Sequence, residues 1–352
     1  MSSAATVGRR AAHARSAMSN IGDVAERAGV SAMTVSRFFN DPSKLAKATY
    51  ERVKLAVDEL AYVPNAAARS LIRGRSDTVA LVVADIRHPF FMAVARGVED
   101  VAQAANYVLF LGNSDETLAR ERQYLDAVIS RRVDGVILAP THGKRHNLEM
   151  LRRRGVPTVL IDRRLPEYDL DVVRGDTFRG GQLLTEHLVG EGYRDIVFIG
   201  GYPGVSSLVD RLSGYQAAME DAGLAPVSEL GRYDQETGDR IVAALVARAR
   251  KGQGSLPEAL IAANNMVALG ALLALRRHGL RVPEDIALAA FDDFEIDAQL
   301  DPFLTVIRQP AYDIGREAMQ LLLERFGRSD RPTEERVLPV ELVARRSTRR
   351  PM

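Results

Sequence analysis

NIGDVAERAGVSAMTVSRFFN, residues Asn20–Asn40, decides how this chain is read. Val24, Ala25 and Ala28 recur at helical spacing, so Ile21–Ala28 is expected to form a short helix with one apolar face. Asn20 stands where an N-cap accepts a backbone N–H that the first turn leaves unpaired. Gly29 follows the last helical residue and supplies the positive φ that turns the chain. Ser31 then caps a second helix, Ala32–Phe39, whose Val35, Phe38 and Phe39 can pack back on the first. Two short helices across a glycine turn make a helix-turn-helix, with the second helix placed to enter a major groove. A generic helical hairpin is the competing reading of these residues alone.

The rest of the chain limits the choice. At 352 residues it is too long for one ordinary core, and two or three domains are expected. A content of 46% hydrophobic and 26% charged residues suits a soluble globular protein, and no apolar run is long enough to span a membrane. Arg9, Arg10 and Arg15 are followed by no apolar stretch, so no secretion signal is expected. The absence of cysteine excludes disulfides and thiolate metal sites and fits a cytoplasmic location. Residues 1–75 carry 12 Lys/Arg against 6 Asp/Glu, whereas the remainder carries 35 against 40. A basic head on a mildly acidic body suits a polyanion partner for the head only, and the helix-turn-helix makes that partner double-stranded DNA.

Residues 1–18 show no sustained pattern and are expected to be a disordered arm, with Met18 an alternative start. A third head helix, Ala48–Leu60, places Val53, Val57 and Leu60 on one face. Asn65–Ile72 is too short for a stable isolated helix and is expected to be helical only when packed on a partner subunit and DNA. From Thr78 the pattern alternates. Val79–Ala84, Val108–Leu111, Val136–Ala139, Thr158–Ile161, Ile196–Ile199, Ala259–Ala262 and Ile286–Ala290 read as buried parallel strands. Between them lie helices at Phe90–Ala105, Leu118–Arg131, Asn147–Arg154, Arg179–Glu191, Ser207–Ala222, Thr237–Arg250 and Val267–His278. Such alternation means doubly wound sheets, and the number of strands implies two lobes with a cleft.

GVSAMTVSRFFN, YVPNAAARSLIRG (Tyr62–Gly74), VADIRHPFF, RRVDGVIL, TEHL, VPEDIALAAFDDFE and LTVIRQP occur in this order, and the sequence resembles the lactose/purine repressor (LacI/GalR-type) family from Asn20 to about Ser347. The resemblance implies an all-α helix-turn-helix head on an α/β, two-lobed, periplasmic-binding-protein-like body with doubly wound parallel sheets and crossovers near Arg174, Ile307 and Leu338. The expected divisions are an arm at 1–18, a DNA-binding domain at 19–63 and a hinge helix with linker at 64–76. An effector-binding and dimerisation domain follows at 77–347, its N-lobe at about 77–174 and 309–338 and its C-lobe at about 175–308 and 339–347. Two departures from the family pattern stand out: Ala46 where Ser or Asp caps the third helix, and Ala61 where Gly or Asn ends it. Each is expected to cost the head about 1 kcal/mol.

The second helix opens with Ala32 and Met33, which can meet thymine methyl groups but form no bidentate hydrogen bonds. Arg37 suits either a guanine or a phosphate. By polarity and family position Thr34, Ser36, Asn40, Tyr62 and Arg69 are phosphate or sugar contacts, and Leu71 matches the family's minor-groove wedge. Ser31, Asn65 and Ala68 complete the expected DNA-binding set.

Ligands of open α/β sheets bind beyond the strand C-termini, where Asp85, Asp162, Asn264 and Asp292 fall. Arg211 in DRLSGY and Asp292 are effector contacts by resemblance, and Phe90 and Phe91 suit the apolar face of a sugar ring. Asp85 and Asp293 equally suit capping. Arg163, Arg164 and Arg174 hint at an acidic or phosphorylated effector. No nucleophile–base pair is marked, the Gly200–Gly204 loop lacks GK[ST], and His142 with His146 lacks a third ligand, so neither catalysis, cofactor nor metal is expected. The expected protein is a ligand-responsive repressor that binds a palindromic operator as a homodimer under control of a sugar-like effector. The alternatives are a purine- or metabolite-dependent corepressor-type regulator and a sugar-binding transport protein. The terminal RRSTRRPM has no leucine heptads, so a dimer rather than a tetramer is expected.

Overall fold

A computed structural model describes residues 19–63, 74–143, 147–294, 302–328 and 331–350. They fall into two compact units, divided after Ser76. The arm at 1–18 and the hinge stretch with Asn65, Ala68, Arg69 and Leu71 lie outside the described residues.

The first unit holds α1 (Ile21–Ala28), α2 (Ala32–Asn40) and α3 (Lys47–Glu59). Asn20 and Asp23 form a reciprocal capping box: the Asn20 side chain accepts from Gly22 N and Asp23 N, and Asp23 accepts from Asn20 N at 2.7 Å. Gly29 adopts φ 64° and donates to the last carbonyls of α1. Ser31 Oγ caps α2 by accepting from Thr34 N at 3.2 Å. Val24, Val35 and Val53, all fully buried, form the centre of the core where the three helices meet, with Phe38, Phe39 and Tyr62 packed around it. At the two departures from the family pattern, Ala46 makes no capping bond and Ala61 is left-handed at φ 44°.

The second unit runs β1 (Thr78–Val83), α4 (Pro89–Ala104), β2 (Val108–Asn113), α5 (Leu118–Ser130), β3 (Gly135–Leu138), α6 (Leu148–Arg153), β4 (Thr158–Ile161) and β5 (Asp171–Gly175). There follow α7 (Thr177–Gly190), β6 (Ile196–Ile199), α8 (Ser206–Asp221), β7 (Val227–Glu229), α9 (Gln235–Arg250), β8 (Ala259–Ala262), α10 (Asn265–Arg277) and β9 (Ala287–Phe291). It ends with β10 (Thr305–Arg308), α11 (Ala311–Arg325), β11 (Glu335–Leu338) and β12 (Glu341–Val343). Every helix and strand expected within the described residues is present, with ends within two residues of those expected. Unread from the sequence were α11 and the strands β5, β7, β10, β11 and β12. Four of these five strands are short, with three or four residues each, and β7, β11 and β12 mix charged with apolar side chains, while the buried β-branched run of β10, Thr305–Ile307, is only three residues long.

The strands make two six-stranded sheets, ordered β11-β5-β4-β3-β1-β2 and β12-β10-β9-β8-β6-β7. All pairs are parallel except β10 with β12. Each sheet is the core of one lobe, so strand for strand the C-lobe repeats the N-lobe. Fully buried Val, Ile and Leu fill the central strands, as a sheet covered on both faces requires.

Helix pairs cover the sheets at three glycine-on-glycine crossings: Gly97 with Gly315 between α4 and α11, Gly181 with Gly214 between α7 and α8, and Gly238 with Gly270 between α9 and α10. A Cβ on Gly214 would stand 2.0 Å from the Phe178 carbonyl oxygen, and one on Gly181 would stand 2.3 Å from that of Arg211. Such backbone contact fixes α8 against the C-lobe.

Candidate functional site

In the head, Ser31, Ala32, Met33, Arg37 and Asn40 are exposed, and Met33 is 71% exposed. Met33, Arg37 and Asn40, spaced four and three residues apart, share the helix face turned away from buried Val35. Ser36 and Asn40 bond one another at 3.2 Å, and the Ser31 and Thr34 hydroxyls lie 3.0 Å apart. Tyr62 is half-buried, its ring 5.9 Å from that of Phe39.

In the body, the strand C-termini of both lobes open on one cleft, lined by all seven residues expected there. Asp162 directly follows β4 and Asp292 directly follows β9, the equivalent strand of the other lobe. Both are left-handed, at φ 62° and 67°, which costs a non-glycine residue local strain. Arg211 lies between them on α8. Its Nη2 is 4.0 Å from Asp162 Oδ1 and its Nη1 is 3.9 Å from Asp292 Oδ2, too far for direct hydrogen bonds. The guanidinium is held by the Ala263 carbonyl at 2.5 Å and lies 4.5 Å above the Phe291 ring. Asp292 also accepts from Gln309 Nε2 at 2.7 Å. Burial pushes the Asp162 carboxyl above the usual range, against the pull of Arg163 and Arg211.

The sequence reading missed His88. It precedes α4 in the N-lobe, and its Nε2 lies 3.0 Å from Nδ2 of Asn264 in the C-lobe. Because an amide nitrogen donates, Nε2 accepts and the proton is assigned to Nδ1. Burial holds the imidazole below its ordinary pKa, hence neutral, although Asp292 pulls the other way. Its only sequence signal is a titratable residue just beyond a strand C-terminus. Also missed was Glu116, which grips Arg163 at 2.5 and 2.9 Å. Burial works against its charge, but Arg163 and His142 outweigh burial and hold it at about 2. His142 itself stacks on Tyr202 of the other lobe, centroids 3.9 Å apart at 10°; His146 lies outside the described residues.

Not every expected contact has its polar atoms open to the cleft. Asp85 accepts from the backbone and side chain of Arg87 at 2.7–3.1 Å, which is the capping role weighed for it. Burial opposes its ionisation, but Arg87 prevails and lowers its pKa. Asn264 spends its amide on Val267 N, the Tyr233 carbonyl and His88, and so joins the lobes. Asp293 is held by Arg345 and Arg308. Phe90 and Phe91 stand edge to face at 5.1 Å in the N-lobe wall.

The three arginines behind the hint of an anionic effector already have carboxylate partners. Arg163 pairs with Glu116 and Asp162, Arg164 with Asp210, and Arg174 with Asp210 and Glu335, so the three positive charges are already neutralised. The cleft lining has six carboxylates, Asp85, Asp115, Glu116, Asp162, Asp234 and Asp292, against four guanidinium groups, Arg87, Arg163, Arg211 and Arg232.

Residues 20–65 match the model of bacterial regulatory proteins, lacI family, and residues 185–348 match a periplasmic binding protein-like domain. The ribose operon repressor of Halalkalibacterium halodurans is 34% identical over 332 residues, covering 94% of this chain and 98% of that protein. The chain belongs to the lacI family of bacterial regulatory proteins. Among solved structures, the lacI-family chain is similar to a transcriptional regulator CelR–cellobiose complex, with a TM-score of 0.69, 31% identity, and 94% and 99% of the two chains covered. It is similar also to the lac repressor dimer bound to operator and the anti-inducer ONPF, with a TM-score of 0.79, 25% identity and the same coverages. This lacI-family chain is therefore a DNA-binding transcriptional regulator. No helix among the described residues is long and apolar enough to cross a membrane.

Proposed function

We propose that this regulator is a repressor acting in the cytoplasm, binding a palindromic operator as a homodimer, whose cleft takes a neutral polyhydroxylated effector of the sugar class. Its role is regulatory rather than catalytic, in keeping with relatives named as repressors. In this reading residues 19–63 read DNA, 64–76 form the hinge, and 77–347 bind the effector and dimerise. Ser31, Ala32, Met33, Thr34, Ser36, Arg37, Asn40 and Tyr62 supply head contacts, with Asn65, Ala68, Arg69 and Leu71 supplying hinge contacts.

One observation carries the ligand class. His88 Nδ1, Arg163 Nε and Arg211 Nε are buried N–H groups of the cleft lining without a hydrogen-bond partner. An unmet buried donor is costly, so each marks a place for a ligand acceptor. Asp162 and Asp292 beside them can only accept while ionised, and so call for ligand donors. Hydroxyl groups meet both demands, and Phe90 and Phe91 suit the apolar face of a sugar ring. A phosphate group would meet an excess of carboxylates in the cleft lining.

A thermal-shift panel of neutral pentoses, hexoses and disaccharides, phosphosugars and purines tests the reading. A neutral sugar at one hundred times its Kd should stabilise the protein by about 2.7 kcal/mol. A shift with phosphosugars or purines and none with neutral sugars would overturn the assigned class.

A further inference from the structure

Helix α8 carries two side-chain pairs of the same i, i+4 spacing on neighbouring stripes. Ser207 and Arg211 face the ligand cleft. Ser206 and Asp210, one residue back, face the N-lobe. The Arg164 backbone N–H donates to Ser206 Oγ at 2.8 Å, and its guanidinium grips both Asp210 oxygens at 2.7 and 2.8 Å. Arg174 reaches the same carboxylate at 3.4 Å and is anchored to Glu335 at 2.5 Å. Arg164 follows β4 by three residues and Arg174 lies in β5, so every partner of Ser206 and Asp210 in this chain of ion pairs belongs to the N-lobe.

We infer that Ser206, Asp210 and Arg164 are positioning residues that hold the two lobes in the arrangement described here and pass ligand occupancy from α8 to the N-lobe. The geometry couples the two. Because α8 is fixed to α7 through the Gly181–Gly214 backbone contact, its N-terminal turns move only with the C-lobe. A ligand that draws Arg211 toward itself therefore shifts Asp210, on the adjacent stripe, relative to Arg164. Bidentate geometry makes that pair sensitive to orientation as well as distance. Asp210 is largely buried, so breaking the pair leaves its carboxylate short of partners rather than returned to water. The clamp lies outside the ligand-contacting set, and its consequence for regulation rests on the effector reading of the cleft.

The test uses the full chain without ligand, so its failure and failure of the effector reading are separate results. The chain has no cysteine, so spin labels go only where cysteines are introduced. Arg122→Cys in the N-lobe and Lys251→Cys in the C-lobe, both exposed, report the inter-lobe distance by pulsed electron spin resonance. The labelled chain is diluted into unlabelled protein so that only distances within one chain are read. The expected result is one narrow distance in the parent protein and a longer, broader distribution in Asp210→Asn. The Arg164→Gln variant, altered at the more exposed partner, should show the same change, and the double variant no more than either single one. Parent-like distances in both variants, or additive changes in the double variant, would overturn the clamp.

Discussion

The head and the cleft achieve definition by opposite means. In the head the caps and the turn are local: Asn20 caps with Asp23, Ser31 with Thr34, and Gly29 turns the chain between them. In the cleft the paired elements are distant in sequence. Asp162 and Asp292 reach Arg211 from two sheets, and His88 bonds Asn264 across 176 positions. The head's outward side chains are free to be changed without disturbing its core, whereas cleft side chains at once line the cleft and join the lobes. DNA reading is thereby set by short-range capping and packing, and ligand reading by the rigidity of two sheets and the helices on them.

The largest expected effect tests that rigidity. Gly214→Val puts side-chain atoms where the Phe178 carbonyl already stands. It should cost the body about 3 kcal/mol or more in urea unfolding. Gly190→Ala, with nothing within 4 Å, should be neutral or gain a few tenths of a kcal/mol. Equal behaviour of the two would mean that the crossing yields easily and the cleft is not rigidly framed.

A smaller effect of opposite sign is expected in the head. Ala61→Gly relieves a left-handed alanine and Ala46→Ser restores a cap, each stabilising the head by about 1 kcal/mol. Calorimetry should show the gain with the body's transition unmoved. A shift of the body instead would break the independence of the two regions.

The smallest effect is a pH dependence confined to the cleft. His88 has a folded pKa depressed by burial below 6.5. Its contribution to stability is therefore present above 6.5 and lost as pH falls through the depressed folded value. Asp162, raised by burial, works in the opposite sense as pH falls, so a variant rather than the raw slope isolates His88. Between pH 7.5 and 5.5, His88→Gln should lose less stability than the parent. Parallel curves would remove His88 from the pH response.

This contrast also decides what was legible in the sequence. The head was read from consecutive residues, because caps, turn and apolar spacing act over three or four positions. The central strands were legible as buried β-branched runs, but β7, β11 and β12 owe their pairing to neighbouring strands rather than to their own composition. Strand ends located Asp162 and Asp292, yet not the left-handed backbone that presents them. His88 and Glu116 were missed, because their partners Asn264 and Arg163 are set by the meeting of lobes and loops. The same cause hid the pairing of Arg163, Arg164 and Arg174 with nearby carboxylates, and so suggested an anionic ligand where the charges are already neutralised.

Arg211 gives the most direct test of the claim that the head reads DNA while the cleft reads a ligand. It belongs wholly to the body, buried between Asp162 and Asp292. The measurement is fluorescence anisotropy of Arg211→Ala on an operator selected by the parent protein, with and without the neutral sugar found in the thermal-shift panel. The variant should bind operator as the parent does when no sugar is present. Losing a charge-assisted contact should weaken sugar binding by roughly 1.5–3 kcal/mol, so the response should vanish at the parent's effector concentration. A variant that binds operator normally and still responds at that concentration would contradict the account.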